Sequence, residues 1–135
     1  MHTTSLVESP PRDLRLRADP AELSRARGFA EEAAEAFGFG DEETYAFKFA
    51  ASEAVANAIE HGRPCDRGEL LLRVGEEAGA LTFYVRDCGR FVPPSDSADD
   101  ERGRGLMFME LMVDEVEVKP AAGGTLVRLA KRRAA

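Results

Sequence analysis

Cysteine and long apolar runs are scarce in this sequence of 135 residues, which contains 2 cysteines and no tryptophan. Cys65 and Cys88 stand far apart and lack the neighbouring Cys or His spacing of a zinc site. We therefore expect two free thiols in a reducing cytoplasm. No stretch approaches the roughly 20 apolar residues that a membrane-spanning helix needs, and residues 1–17 lack the apolar core of a secretory signal. These absences favour a cytoplasmic protein.

An excess of positive charge is also missing, since 25 Asp and Glu outnumber 18 Lys and Arg and give a net charge of −7. An acidic chain with 2 tyrosines and no tryptophan is poorly suited to direct contact with nucleic acid. Hydrophobic residues make up 44% of the chain, which is enough for one folded core at this length. We expect a flexible leader over residues 1–11 and a single domain over residues 12–135.

Hydrophobic periodicity predicts a regular order of strands and helices. Alternating residues from Leu14 to Ala18 predict a strand, and Asp19 followed by Pro20 is typical of a helix start. Glycines mark the ends of two helices, which we expect over 20–37 and 41–61. The remaining predicted elements are strands over 70–74 and 81–87, a turn over 75–79, a loop over 88–103, a helix over 105–112, and strands over 116–118 and 125–131.

The spacing of these elements predicts the fold class. Consecutive strands joined by short turns pair mainly in the antiparallel sense. Because the strands alternate, one face of their sheet is apolar and must be covered by the helices. The sequence therefore predicts an α+β fold, a two-layer α/β sandwich with a mixed, mainly antiparallel sheet covered on one face by helices.

Two polar residues lie beside the apolar face of the second predicted helix. At about 100° per residue, the wedge that faces the sheet contains Phe47, Ala51, Ala54, Val55 and Ala58. Glu53 and Asn57 are one turn apart at the edge of this wedge. The Asn57 oxygen is a suitable Mg²⁺ ligand, and Glu53 could take a proton from a hydroxyl group. The alternative is a solvated polar pair.

Polar residues also occupy core-facing positions at two strand ends. Asp87 shares a face with the apolar residues of its strand, so its carboxylate needs a partner, such as the exocyclic amino group of adenine. Gly89 follows and lets a flat ring approach the backbone. Thr125 begins the last strand on its apolar face and, beside Asp87, could hold a purine ring or its bound water. The alternatives are an Asp-x-Gly turn and an ordinary Thr at a strand start.

The long predicted loop ends in Arg102-Gly103-Arg104-Gly105, at the start of the third predicted helix. Glycines expose backbone N–H groups there, and the start of a helix is partially positive, which suits phosphate groups. A loop of about fifteen residues in a small domain is typical of a functional lid. The alternative is a flexible surface loop that ends in glycine.

Taken in order, these features resemble the four ATP-site boxes of the GHKL (Bergerat-fold) superfamily. The boxes are Glu53-x-x-x-Asn57-Ala58-x-x-His61-Gly62, Asp87-x-Gly89, Gly103-x-Gly105-Leu106 and Gly124-Thr125. The run EAVANAIEHG and the ending GGTLVRLAK are most similar to the RsbW-like group of anti-sigma factor serine kinases. The resemblance covers residues 14–131 and implies a GHKL-type ATP-binding kinase domain.

The resemblance also implies a role for each matching residue. Glu53 would be the catalytic general base, and Asn57 would bind Mg²⁺. The implied cofactor-binding residues are Asn57, Asp87, Gly89, Gly103, Gly105, Leu106 and Thr125. Within this set, Asp87 would accept a hydrogen bond from the adenine amino group, and the segment 103–106 would cover the phosphates.

Three positions near these boxes have no settled role. Phe91 stands where family members often have a second glycine after Asp-x-Gly, which weakens the match at the opening of the lid; the ring could instead wall the purine pocket. His61 matches a box position without an assigned function. Cys88 lies inside the Asp-x-Gly box and is the better placed of the two cysteines to sense oxidants, a role that the sequence leaves open.

As a function, the resemblance implies a cytoplasmic anti-sigma factor and serine-protein kinase that uses ATP and Mg²⁺. Its partners would be a sigma factor, which it sequesters, and a STAS-like antagonist protein, which it phosphorylates on serine. A homodimer is expected, without direct contact to nucleic acid or membrane. The Phe91 departure motivates an alternative, a nucleotide-binding module that binds partners without kinase activity. A second alternative is an interaction domain that has lost its nucleotide.

Overall fold

The computed structural model describes residues 10–89, 101–121 and 123–134. The predicted leader lies outside these residues except for Pro10 and Pro11, so its boundary with the domain stays a prediction. Most of the predicted 88–103 loop, including Phe91, also lies outside the described residues.

Five strands and three helices make up the described chain. The strands are β1 (Arg12–Arg17), β2 (Glu69–Glu77), β3 (Ala80–Asp87), β4 (Glu115–Ala121) and β5 (Gly124–Arg132). The helices are α1 (Leu23–Phe37), α2 (Asp41–His61) and α3 (Glu101–Met112), and short 3₁₀ turns occupy Pro20–Glu22 and Asp66–Gly68. The sheet has the order β1-β2-β3-β5-β4, and each neighbouring pair is antiparallel. The predicted two-layer fold is confirmed, although the prediction allowed a mixed sheet.

The hydrophobic core lies between the helices and one face of the sheet. Alternation buries Leu70, Leu72 and Val74 of β2, whereas β3 is buried over its first four residues and alternates only after them. The predicted wedge of α2 is buried in the same core. The Phe47 and Phe83 rings meet edge to face with their centroids 6.1 Å apart. Alanines dominate the buried faces of α1 and α2, namely Ala26, Ala30, Ala33, Ala34, Ala50, Ala51, Ala54 and Ala58. Such small side chains let the helices approach the sheet and each other closely.

The other face of the sheet is lined with charged side chains. Arg73 Nε donates to Asp13 Oδ1 at 2.6 Å, and this hydrogen bond holds the pKa of Asp13 below its ordinary value. Arg128 pairs with the three carboxylates of Glu77, Glu115 and Glu117. One polar face and one apolar face are typical of an antiparallel sheet with a single helical layer. Within the described ranges, no helix is both long and apolar enough to cross a membrane.

The ends of α1 follow the predicted capping signals, except that the helix begins three residues later than predicted. Asp19 caps the 3₁₀ turn, because its side chain accepts a hydrogen bond from the Ala21 N–H at 2.9 Å, and α1 begins only at Leu23. Gly38 ends α1 in the left-handed region with φ of 99°, a conformation that favours glycine. Local capping chemistry was therefore sufficient to place both ends within about a turn.

Two other boundaries differ from the sequence prediction. The turn predicted over 75–79 contains only Ala78 and Gly79, because the β2–β3 ladder continues to the pair Glu77 and Ala80. The helix α3 begins at Glu101 rather than at Gly105. In both places the ladder or helix extends into residues whose composition is typical of turns.

The prediction of two free thiols is wrong, because Cys65 and Cys88 form a disulfide. The cysteines are 23 residues apart in sequence. Cys65 follows the end of α2, and Cys88 follows the end of β3. Because β2 and β3 pair in the antiparallel sense, the end of β3 lies beside the start of β2, and Cys88 is thereby brought close to Cys65. A cross-link over a loop of this length stabilises a fold by roughly 3 kcal/mol in the chain-entropy account.

Gly28 offers a test of helix stability. It lies inside α1, and a Cβ built on it would meet nothing within 4 Å. We expect Gly28→Ala to raise the free energy of unfolding by about 0.5–1 kcal/mol, because glycine costs more backbone entropy than alanine in a helix. Urea denaturation with an unchanged m-value measures this gain. The control is Gly124→Ala, whose Cβ would lie 2.0 Å from the Asp87 carbonyl oxygen and should be strongly destabilising. A loss of stability in Gly28→Ala would contradict the expectation.

Candidate functional site

Asp87 ends β3 with its carboxylate on the core side of the sheet, as predicted. It is 7% exposed, and the backbone N–H of Gly89 donates to its Oδ1 at 2.7 Å. The backbone N–H of Arg63, just beyond α2, also donates to this carboxylate. The residue therefore forms an Asp-x-Gly turn and is at the same time a buried carboxylate, so the two interpretations of the sequence are compatible.

Burial sets the protonation chemistry of Asp87. Loss of solvent raises the pKa of this carboxyl above its ordinary value, and the hydrogen bonds from Gly89 and Arg63 oppose the rise. A carboxylate has about four lone-pair positions, and two backbone donors occupy only part of that capacity. The group can therefore still accept a hydrogen bond from a ligand amino group.

Three glycines allow the chain to close around Asp87. A Cβ on Gly62 would lie 2.8 Å from the Asp87 Cγ, and one on Gly89 would lie 2.9 Å from the Arg63 nitrogen. A Cβ on Gly124 would overlap the Asp87 carbonyl oxygen. Gly62 and Gly124 stand in the sequence boxes beside His61 and Thr125, but no role was predicted for either of them. Arg63 was not predicted as part of the site, and nothing in its local pattern indicates it.

Thr125 lies directly opposite Asp87 in the β3–β5 register. Its Oγ1 donates to the Gly89 carbonyl oxygen at 3.2 Å. The predicted proximity of Asp87, Gly89 and Thr125 is thus confirmed, and their roles toward a ligand stay predictions. The three residues form one end of the candidate site, where the ends of β3 and β5 meet.

Glu53 and Asn57 form the other end, on α2. Both are half-buried, beside the fully buried Ala54 and Val55. The five residues from Asn57 to Gly62 correspond to about 7.5 Å along the helix axis, since an α-helix rises about 1.5 Å per residue. Because Gly62 contacts Asp87, the two ends belong to one elongated site along the last turns of α2.

The Asn57 carboxamide packs against α3. A Cβ on Gly105 would lie 2.8 Å from Asn57 Nδ2. The start of α3 therefore lies over the margin of α2 that carries the polar pair. Glycine at position 105 lets the two helices approach this closely.

The lid residues differ from the sequence prediction. Gly103, predicted at the end of a loop, lies in the first turn of α3, and Gly105, predicted as the first residue of this helix, lies inside it. The first four N–H groups of a helix have no intrahelical partner, so the backbone of residues 101–104, including Gly103, could still face an anion. Gly105 lies beyond them, and Leu106 is half-buried and packs against the hydrophobic core. Their predicted contact with phosphates stays untested.

Metal-binding groups are sparse around this site. Within residues 10–89, 101–121 and 123–134, no three His, Cys, Asp or Glu side chains are placed to hold a metal ion. His61 instead lies 3.8 Å from the Glu60 carboxylate through its Nε2. Mg²⁺ commonly needs only one or two protein ligands, because it takes the others from a bound anion and from water.

The fold and the site define a class of nucleotide-handling domain, an antiparallel α/β sandwich with polar groups at one end of the sheet and along the adjoining helix. Residues 16–131 match the family model "Histidine kinase-like ATPase domain", and the chain belongs to this family. The predicted resemblance to the RsbW-like group of this superfamily is confirmed by the relatives described next.

Two curated relatives are anti-sigma F factors, from Thermoanaerobacter sp. (strain X514) and Thermoanaerobacter pseudethanolicus (strain ATCC 33223 / 39E). Each is 34% identical to this chain over 91 residues, which cover 59% of this chain and 64% of the relative. The chain thus spans less than two thirds of the length of these curated relatives.

Two solved structures are also similar. The RsbU and RsbW domains of Rv1364c from Mycobacterium tuberculosis superimpose with a TM-score of 0.71 and 25% identity, covering 92% of this chain and 32% of that chain. The histidine kinase domain of the Erythrobacter litoralis EL346 blue-light activated histidine kinase gives a TM-score of 0.51 and 23% identity, covering 82% of this chain and 63% of that chain. The second likeness concerns the fold alone.

The raised pKa of Asp87 predicts an unusual pH dependence of stability. Between the raised folded pKa and the ordinary value of 3.8, the folded state binds more protons at this group than the unfolded state. The contribution of Asp87 to stability should therefore rise as the pH falls through that window. We expect the stability of the wild type relative to Asp87→Asn, which cannot titrate, to increase between about pH 7 and about pH 4.

Urea denaturation of both proteins across this range measures the difference, and other titrating groups cancel in the comparison. A relative stability that falls as the pH is lowered would show that the folded carboxyl is more acidic than its ordinary value.

Proposed function

We propose that this protein is an ATP-dependent anti-sigma factor and serine-protein kinase. It sequesters a sigma factor and phosphorylates a serine of a STAS-like antagonist that would otherwise displace the sigma factor. The observation that carries the proposal is the buried Asp87 carboxylate, which lies with Gly89 and Thr125 beside the end of α2, the helix that also carries Asn57 and Glu53. Membership in the ATPase family and likeness to anti-sigma F factors support it.

The adenine end of the proposed site is built around Asp87. Its ionised carboxylate accepts a hydrogen bond from the exocyclic amino group, while Gly89 leaves room for the ring to lie against the backbone. The Thr125 hydroxyl is held beside this ring position by its hydrogen bond to the Gly89 carbonyl oxygen and keeps its lone pairs as acceptors. Amino-group recognition by a buried carboxylate favours adenine over a purine with a carbonyl oxygen at that position.

The phosphate end is built around Asn57. Its half-buried carboxamide oxygen is the proposed protein ligand for Mg²⁺, an ion that commonly takes its remaining ligands from phosphate groups and water. When bound, Mg²⁺ would neutralise negative charge on the phosphate groups. The start of α3 lies beside Asn57 through Gly105, and the positive end of a helix favours a nearby anion.

Glu53 is the proposed general base, one helical turn before Asn57. Its carboxylate takes the proton of the substrate serine as the serine oxygen bonds to the γ-phosphorus and the bond from that phosphorus to the ADP oxygen breaks. Most of the acceleration comes from holding serine and phosphate in line and from charge neutralisation.

The proposed partners are proteins. A sigma factor and a STAS-like antagonist would bind the same domain, which we place in the cytoplasm as a homodimer. The alternative is a nucleotide-binding regulatory module without kinase activity, and the phenylalanine at position 91 favours it. Nucleotide binding without phosphate transfer to any cognate antagonist would establish this alternative.

Glu53 provides the direct test of the kinase step. We expect Glu53→Gln to lower phosphate transfer to the cognate antagonist by about 10²–10⁴-fold, because the base is lost, with ATP affinity changed by less than about twofold. Transfer of labelled γ-phosphate and calorimetric ATP binding measure the two effects. The control is Glu60→Gln on the same helix, where the side chain is 60% exposed and transfer should be unchanged. Undiminished transfer in Glu53→Gln would remove Glu53 from the proposal.

Gly105 tests the position of Asn57. The Cβ of Gly105→Ala would push the Asn57 carboxamide away from α3, so we expect affinity for ATP with Mg²⁺ to fall by about tenfold, equivalent to about 1.4 kcal/mol. Alanine also favours the helix, so the free energy of unfolding should not decrease. Gly28→Ala, which meets open space in α1, is the control and should bind as the wild type. Unchanged affinity in Gly105→Ala would mean that the Asn57 amide does not position the metal.

A further inference from the structure

The disulfide joins the two segments that meet at Asp87. Cys65 belongs to the connection that follows α2, and Cys88 lies between Asp87 and Gly89. The bond is therefore placed directly behind the proposed adenine end of the site. The proposed function assigns this disulfide no role.

Backbone hydrogen bonds tie the same two segments together. The Cys88 N–H donates to the Arg63 carbonyl oxygen at 2.8 Å, and the Arg63 N–H donates to the Asp87 carboxylate. The disulfide joins the same two segments covalently, next to these two hydrogen bonds. The position of Arg63, and with it one of the two backbone donors to Asp87, depends on how firmly this connection is fixed.

The connection after α2 is held in a costly conformation. Arg67 adopts a φ of 66°, in the left-handed region that residues other than glycine rarely occupy. The connection is fastened to β2 by the Cys65 N–H, which donates to the Glu69 carbonyl oxygen at 2.7 Å. A strained backbone of this kind persists only when its surroundings hold it, so a broken disulfide would let it relax.

The disulfide can be reached from the side opposite the proposed nucleotide. Both cysteines are half-buried and line a surface cleft on the charged face of the sheet. The cleft is also lined by Arg15, Arg63, Pro64, Glu69, Leu71 and Arg86. Through this cleft a small thiol can reach the sulfur atoms, which thiol–disulfide exchange requires.

We propose that the Cys65–Cys88 disulfide is a redox switch for the nucleotide site: the oxidised protein binds ATP, and reduction weakens that binding. This inference rests on the proposed function, because it presumes that Asp87 binds adenine. Reduction loosens the connection that carries Arg63 and Gly62, so the wall of the site no longer holds the Asp87 carboxylate in one orientation.

The reductant is a dithiol. One of its thiolates attacks a cysteine sulfur, the Cys65–Cys88 bond breaks, and a mixed disulfide forms. The second thiol of the reductant then displaces the remaining cysteine. Two electrons and two protons pass to the protein, which ends with two thiols, while the reductant ends as a disulfide.

Linkage makes the switch reciprocal. If oxidation raises ATP affinity about tenfold, saturating ATP must favour the disulfide over the dithiol by the same factor. For this two-electron couple, a factor of ten corresponds to a potential shift of about 30 mV. Bound ATP should therefore lower the reduction potential of the Cys65–Cys88 pair by about this amount.

The test compares oxidised and dithiothreitol-reduced full-length protein, with thiols counted and circular dichroism confirming the fold. We expect the reduced protein to bind ATP with Mg²⁺ about tenfold more weakly by calorimetry, which is about 1.4 kcal/mol. The double variant Cys65→Ser, Cys88→Ser should bind as the reduced wild type and should not respond to dithiothreitol. A redox titration with and without ATP supplies the potential shift.

The outcomes separate this inference from the proposed function. Equal ATP affinity in both redox states, with two free thiols shown and the fold intact, would overturn the switch and leave the nucleotide site standing. Absence of ATP binding in both states would overturn the proposed site and the switch with it. Loss of the circular dichroism signal on reduction would show a purely structural disulfide and would also overturn the switch.

Discussion

The burial of one carboxylate constrains the whole functional end of this fold. A charged group placed on the core side of a strand is costly unless donors surround it, and Asp87 receives them from the Gly89 and Arg63 backbones. To supply these donors, the end of α2 and the turn after β3 must converge on one point. Glycines at 62 and 124 make this convergence possible, because any side chain there would occupy the space of Asp87.

The packing of α2 determines the other end of the site. Its buried face is composed mainly of alanine, so the helix lies close to the sheet and to α1. Helical periodicity then places Glu53 and Asn57 at the margin of the packed face, neither buried in the core nor free in solvent. The start of α3 closes over the same margin through the contact between Gly105 and Asn57. One helix thus joins the metal-binding and adenine-binding ends of the proposed site.

Most of the fold could be predicted, because its strands and helices follow local hydrophobic periods and its helices end at glycine. The site was predicted where a residue type conflicted with its surroundings: Asp87 and Thr125 stand on apolar faces, and the β3–β5 register places them opposite each other. The roles of Gly62 and Gly124, and the participation of Arg63, were not predicted, because these residues act through close backbone approach, which has no periodic signal. The start of α3 was misplaced because glycines at 103 and 105 are poor helix formers, and only the tertiary structure shows Gly105 packed in a helix against Asn57 of α2.

The sequence by itself determined the order of the elements, which face of each is apolar, and which polar residues stand out from that pattern. These properties depend on side chains within a few positions of each other along the chain. Only the tertiary structure decided that Cys65 meets Cys88 and that the Arg63 N–H meets Asp87. Both contacts depend on the antiparallel pairing of β2 with β3, which brings the end of β3 back to the end of α2. Long-range pairing of this kind sets the distance between two residues in the folded chain, and their separation in sequence does not.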